Sequence, residues 1–168
     1  MVADAIRLLL FPALMAFAAS SDLITMTISN RVSLALIASF FALAWMWGMP
    51  LAEIGAHTGA AAAVLVVAFI FFARGWIGGG DAKLAAATAL WFGFDHLMPY
   101  LFYASLLGGA LTLLLLCFRT LPLPQYLAAQ HWVQRLHDKK SGVPYGIALA
   151  AAALLVYPDT PWMQAVPA

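Results

Sequence analysis

The chain is short of charge. Only 9% of its 168 residues are Asp, Glu, Lys or Arg, and the formal net charge is +1. A soluble domain normally carries about a quarter of its residues as charges. No block of basic residues occurs, so nucleic acid is not an expected partner. Cysteine is almost absent as well. Cys117 stands alone, which excludes an internal disulfide and a Cys-x-x-Cys zinc pair. It is expected as a small apolar group inside a helix. The four histidines, His57, His96, His131 and His137, show no metal-ligand spacing. There is no phosphate loop, no serine in a recognisable nucleophile setting and no internal repeat. Neither a metal nor a cofactor is expected.

What the chain has instead is hydrocarbon. Hydrophobic residues make up 65% of it, a composition that means membrane. Its length fits one domain, 1–168. A spanning helix needs about 20 mostly apolar residues, so the chain has room for about six. Six apolar runs are visible, at 5–20, 32–49, 59–73, 82–94, 97–118 and 143–157. The expected fold class is therefore all-α, a polytopic membrane helix bundle of about six transmembrane helices. The fourth run is short and alanine-rich, and suits a helix covered by protein rather than lipid. Gly108-Gly109 in the fifth run suits close helix approach. The first run has an A-x-A-like site at Ala16-Phe17-Ala18. Its start carries Asp4 as well as Arg7, which argues against a cleavable signal peptide.

Basic residues orient the bundle. With the end of the first helix in the cytoplasm, Arg31, Arg74, Lys83, Arg119, Arg135, Lys139 and Lys140 all face that side. Only Arg7 remains opposite, so seven of the eight Lys and Arg residues share one face. This is the bias of a plasma-membrane protein, and with an even number of spans it puts both termini outside. One polar stretch of some length, 120–142, falls on the cytoplasmic side. Pro122 and Pro124 break the preceding helix. Tyr126, Leu127, Val133 and Leu136 then recur near helical spacing. An amphipathic surface helix and a plain connecting loop both fit.

The orientation also brings Asp22 and Asp81 to similar depth on one side, although it used only Lys and Arg. An acid near hydrocarbon is expensive and is expected to be paired or functional. Asp81 lies in Gly78-Gly79-Gly80-Asp81-Ala82-Lys83. Read alone, Asp81 could simply cap the helix that follows, and Lys83 could be a flanking charge that snorkels to the interface. Asp22 alone could be a boundary residue. Taken together, two carboxylates held close cannot both ionise easily and share a proton. Such a pair can activate a water while its protonated member polarises a carbonyl. The glycines leave room for another chain to come close.

Gly78-Gly79-Gly80-Asp81-Ala82-Lys83-Leu84 resembles the GxGD-x-K-L segment of type IV prepilin peptidases. Asp22, followed eight residues later by Asn30, resembles that family's D-x6-P-N segment, with Ser29 standing where proline is usual. Val143-Pro144-Tyr145-Gly146 resembles the proline-tyrosine-glycine segment that opens the family's last span. The resemblance implies an inner-membrane aspartic endopeptidase. Asp22 and Asp81 would be catalytic, and Gly78, Gly80, Lys83 and Asn30 would position backbone or substrate. The partners implied are a prepilin, whose short charged leader is removed at the cytoplasmic face, and the lipid bilayer. The first apolar run begins near Met1, without the family's cysteine-bearing insertion. The chain thus resembles the short branch found with Flp/Tad-type pili, and methylation is not expected. A GxGD protease cutting inside a span, and a transporter subunit using its acids for protons or cations, are the alternatives.

Overall fold

An apolar segment in lipid must satisfy its own backbone hydrogen bonds, and a helix does so within the segment. The computed structural model describes residues 2–164, and every regular element in that range is helical. They are α1 (Val2–Thr25), α2 (Asn30–Met46), α3 (Leu51–Ala73), α4 (Gly79–Phe118), α5 (Gln125–Ala128), α6 (His131–His137), α7 (Tyr145–Val156) and α8 (Pro161–Gln164). A single 3-10 turn, Tyr157–Asp159, joins α7 to α8. Three helices, α1, α3 and α4, are long and apolar enough to cross a membrane, while α2 and α7 are shorter and also apolar. Residues 1 and 165–168 lie outside the described residues, as do the side chains of 2–5 and 7. The expected position of the two termini, and of Asp4 and Arg7, therefore falls outside them.

A straight 40-residue helix would be about 60 Å long, twice the hydrocarbon thickness of about 30 Å. α4 is not straight. Gly93 has φ 58° and ψ −168° inside it, a conformation that glycine adopts at little cost. Thr112 and Asp81 line the same cavity, yet in an unbroken helix they would stand about 46 Å apart. The chain therefore reverses at Gly93 into a central segment, 79–92, and a return segment, 94–118. They correspond to the fourth and fifth apolar runs. Cys117 lies in the return segment on an exposed face.

The central segment is the hub of the bundle. Ala82, Leu84 and the whole stretch from Ala86 to Gly93 are buried. Its alanines allow neighbouring backbones to approach. α3 and α7 pack most extensively on α4, with α2 beside them and α7 also against α1. This agrees with a fourth run covered by protein.

Two sequence boundaries are corrected. α3 starts at Leu51 rather than at 59, because Glu53, His57 and Thr58 are absorbed into the helix. The Thr58 hydroxyl donates to the Ile54 carbonyl at 2.8 Å, which masks it within its own turn. α1 runs on to Thr25, so Asp22 lies inside its last turns rather than after its end. Ser20 and Thr25 hydroxyls back-bond to Ala16 and Ser21 carbonyls, extending helix through a polar stretch. The 120–142 stretch is neither one helix nor a plain loop. It holds two short helices, α5 and α6, with Val133 and Leu136 turned inward.

Candidate active site

Three helix ends meet around one cavity. α3 stops at Arg74, and Gly75 takes φ 73° just beyond it. The Gly75 and Trp76 amides bond back to Phe72 and Phe71 carbonyls, both at 2.9 Å. This is a glycine-based helix stop that satisfies the last carbonyls. It turns the chain directly into the start of α4. The cavity that results measures about 690 Å³ and is walled by Asp22 and Met26 of the α1 end, the 75–78 turn, Asp81, and Thr112 and Tyr145 opposite.

Asp22 is buried, with 4% of its surface exposed. One carboxylate oxygen, Oδ2, accepts the Gly146 amide N–H at 2.8 Å. Gly146 sits in the first turn of α7, where amides have no partner within the helix. An anion at a helix N-terminus is favourable for the same reason. The fit depends on glycine. A Cβ at Gly146 would stand 2.8 Å from Asp22 Oδ2 and 2.6 Å from Ile28 Cδ1.

Asp81 occupies the third residue of α4, behind a Gly78 cap. It therefore does not take the cap position itself. Its side chain reaches back to the Gly78 amide, as the third residue does in a capping box. A Cβ on Gly78 would meet Asp81 Oδ2 at 2.9 Å. Asp81 and Asp22 are close enough for their charges to act on one another. Among the described residues no third His, Cys, Asp or Glu gathers with them.

The other expected positions divide. Gly80 has a helical backbone with no positive φ. Its missing side chain makes room for Ile28, whose Cβ would lie 3.2 Å from a Cβ at Gly80. The space is taken by the α1–α2 loop. Ile28 touches both Gly80 and Gly146 and so wedges between the starts of α4 and α7. Lys83 and Asn30 are brought together, with Lys83 Nζ donating to Asn30 Oδ1 at 2.9 Å. Neither lines the carboxylate cavity. Both face a separate groove between α2 and α3.

Several site residues have little or no sequence signal. Tyr145 lies against the bare backbone of Gly108 in the return segment, where any side chain would overlap its ring. Arg119 is buried, and its Nε and Nη2 donate to the Leu136 and Gly142 carbonyls at 2.8 and 2.7 Å. It thus ties α6 and the approach to α7 to the end of α4. Arg135 Nη1 adds a bond to the Ile24 carbonyl at 3.2 Å. Pro144-Tyr145-Gly146 is the part of this wall visible in sequence; Arg119 reads there only as an orienting charge.

Helices of membrane length thus carry two carboxylates on the wall of one cavity at their ends. The model of the type IV leader peptidase family matches residues 9–113, well over half of the chain. The chain belongs to that family, and is thus a protease of the leader-peptidase kind. The match takes in Asp22, Asn30 and the whole 78–83 stretch, and stops short of α7. A search of curated proteins and a search of solved structures each found no match.

Proposed function

We propose that the chain is an aspartic prepilin peptidase that removes the leader of Flp-type prepilins at the cytoplasmic face of the inner membrane. The observation that supports this most is the placement of Asp22 and Asp81 on one cavity wall. Two like charges that close favour a single shared proton. The ionised member takes a proton from water as its oxygen adds to the scissile carbonyl carbon. The protonated member gives its proton to the carbonyl oxygen. The resulting diol collapses as the peptide nitrogen takes up a proton and leaves. The Gly146 and Gly78 amides hold one oxygen of each acid, which fixes the carboxylates in advance of the reaction.

The same reading orders the membrane. α1, α2, α3, the central segment, the return segment and α7 make six crossings, with both termini outside. The basic residues Arg31, Arg74, Lys83 and Arg119 then stand at helix ends on the side of the two acids, in keeping with the positive-inside bias. A prepilin helix inserts alongside, and its extended leader junction enters the cavity. A helical junction would not serve, because its carbonyls are already bonded and covered.

The test is cleavage of a co-expressed Flp-type prepilin, with the new amino terminus sequenced. Wild type is expected to release the leader, and the Asp22→Asn, Asp81→Asn double variant to leave it uncut at equal abundance in the membrane. Leader removal by the double variant would dismiss the aspartic mechanism. External labelling of Ser141→Cys in sealed cells would dismiss the topology.

A further inference from the structure

A groove of about 540 Å³ lies on another side of the central segment, apart from the two acids. α2 and α3 form its walls, and Ala86, Ala87 and Leu90 form its floor. Nearly all of its lining is apolar, with Leu34, Ile37 and Phe41 on one wall and Ala62 and Leu65 on the other. Polarity gathers at one end. Lys83 Nζ donates to Asn30 Oδ1 there, its one partner among the described residues. An ammonium has three N–H donors, so two remain to be used.

A cation without a counter-ion at a membrane surface attracts anions. Phosphate oxygens would take up its remaining N–H donors with charge-assisted bonds. The apolar part has a telling length. From Asn30 to Phe41 is eleven residues, about 16 Å of helix. One leaflet of the hydrocarbon core is about 15 Å deep. The groove therefore reaches from a cationic rim to about mid-bilayer. One acyl chain is narrow enough to lie along the groove between α2 and α3 over that depth.

We propose that this groove holds one anionic phospholipid from the leaflet on the side of the two carboxylates. Its phosphate sits on Lys83 at the polar rim, and one acyl chain lies between α2 and α3. The proposal does not depend on the protease reading, since its readout is bound lipid.

The experiment uses the full chain in nanodiscs of mixed phosphatidylglycerol and phosphatidylcholine, extracted into mild detergent and weighed by native mass spectrometry. Wild type is expected to keep one phosphatidylglycerol, at least fivefold in preference to phosphatidylcholine. Lys83→Gln removes the charge, and Ala62→Trp fills the tail path. Each is expected to keep at least tenfold less. Wild-type retention by both variants, or no retained lipid in wild type, overturns the proposal. A second arm does not rely on either variant folding. A photo-crosslinking amino acid at Leu34, in cells that also express prepilin, is expected to give a phospholipid adduct. An adduct to the prepilin helix instead overturns the proposal and makes the groove a peptide-docking site.

Discussion

The two ends of the central segment are built on opposite plans. At the Gly93 end, the broken helix frees carbonyls and aromatic side chains take them up. His57 Nδ1 bonds the Leu90 carbonyl at 2.7 Å, and Trp162 Nε1 donates to the Trp91 carbonyl at 2.8 Å. Trp91 Nε1 in turn donates to the Leu36 carbonyl at 3.0 Å. Phe11, Phe40, Tyr157 and Trp162 pack around Trp91, with Phe11 stacked on Tyr157 at 4.5 Å between ring centres. At the other end, the helix starts on three glycines, the Gly78 amide meets Asp81 while the Gly146 amide of α7 meets Asp22, and a cavity is left open. Both ends solve the problem of unpaired backbone at a helix break. One uses large ring N–H donors and becomes solid. The other uses small residues and two acids, and leaves a cavity open. The solid end can be expected to hold stability, and the open end activity.

The sharpest separation comes from the acids. Asp22→Asn and Asp81→Asn are each expected to lower prepilin cleavage by about 10⁴-fold or more, and the double variant to be little worse. Members of one catalytic unit fail together. Both changes keep the shape of the side chain, so thermal unfolding in detergent should move by a few degrees at most. Multiplying losses in the double variant would mean that the acids act independently, and would break the shared-proton mechanism.

The converse change is Trp91→Ala. It removes a fully buried ring and its bond to the Leu36 carbonyl, which keeps the Ser39 hydroxyl at 3.0 Å. Loss of such a ring costs about 3–5 kcal/mol. Unfolding should shift far more than for either acid variant, while cleavage per folded molecule stays within a few-fold of wild type. A large loss of specific activity at unchanged stability would show that the two ends are coupled, and the division of labour would fall.

The acid end of this division is legible in the sequence and the aromatic Gly93 end is not, and the limits are physical. The apolar runs become helices because lipid leaves the backbone no other partner. Asp22 and Asp81 can be paired from the sequence alone because the charge bias sets them at one depth. Gly146 is harder. In sequence it is only the last letter of a family-like segment, and its bond to Asp22 spans 124 residues. Arg119 sits on carbonyls that no side-chain pattern announces. The role of Gly80 escapes the sequence for a related reason. A glycine's emptiness is visible there, but what fills it, here Ile28, is set by the fold.

Gly146→Ala tests that hidden contact at an intermediate scale. The added methyl presses on both Asp22 Oδ2 and Ile28 Cδ1, and Ile28 can give way more easily than the carboxylate can keep its bond. A misplaced catalytic group can cost about 10²-fold. Cleavage is expected to fall about 10- to 100-fold, with a stability loss of about 1–3 kcal/mol. Unchanged cleavage would mean that Asp22 does not need the α7 amide.

The smallest effect is expected where the chain departs from its family. Ser29→Pro restores the usual residue at the start of α2. The site is already shaped for it, with φ −65° and ψ 137° at Ser29, close to the value that the proline ring imposes. What would be lost is the Ser29 Oγ contact from the Arg31 amide, long at 3.3 Å. A cap bond is worth about 1 kcal/mol at ordinary length, so this one is worth less. What would be gained is a stiffer unfolded chain, about 0.4–1 kcal/mol in favour of folding. The two nearly cancel. Ile28 precedes the site and wedges between Gly80 and Gly146, and a following proline favours extended backbone there. Thermal stability within about 1 kcal/mol of wild type and cleavage within twofold are the expected results. A loss beyond tenfold in cleavage would show that serine, not backbone shape, is needed here, and that the Ile28 wedge is tuned differently in this chain than a proline would allow.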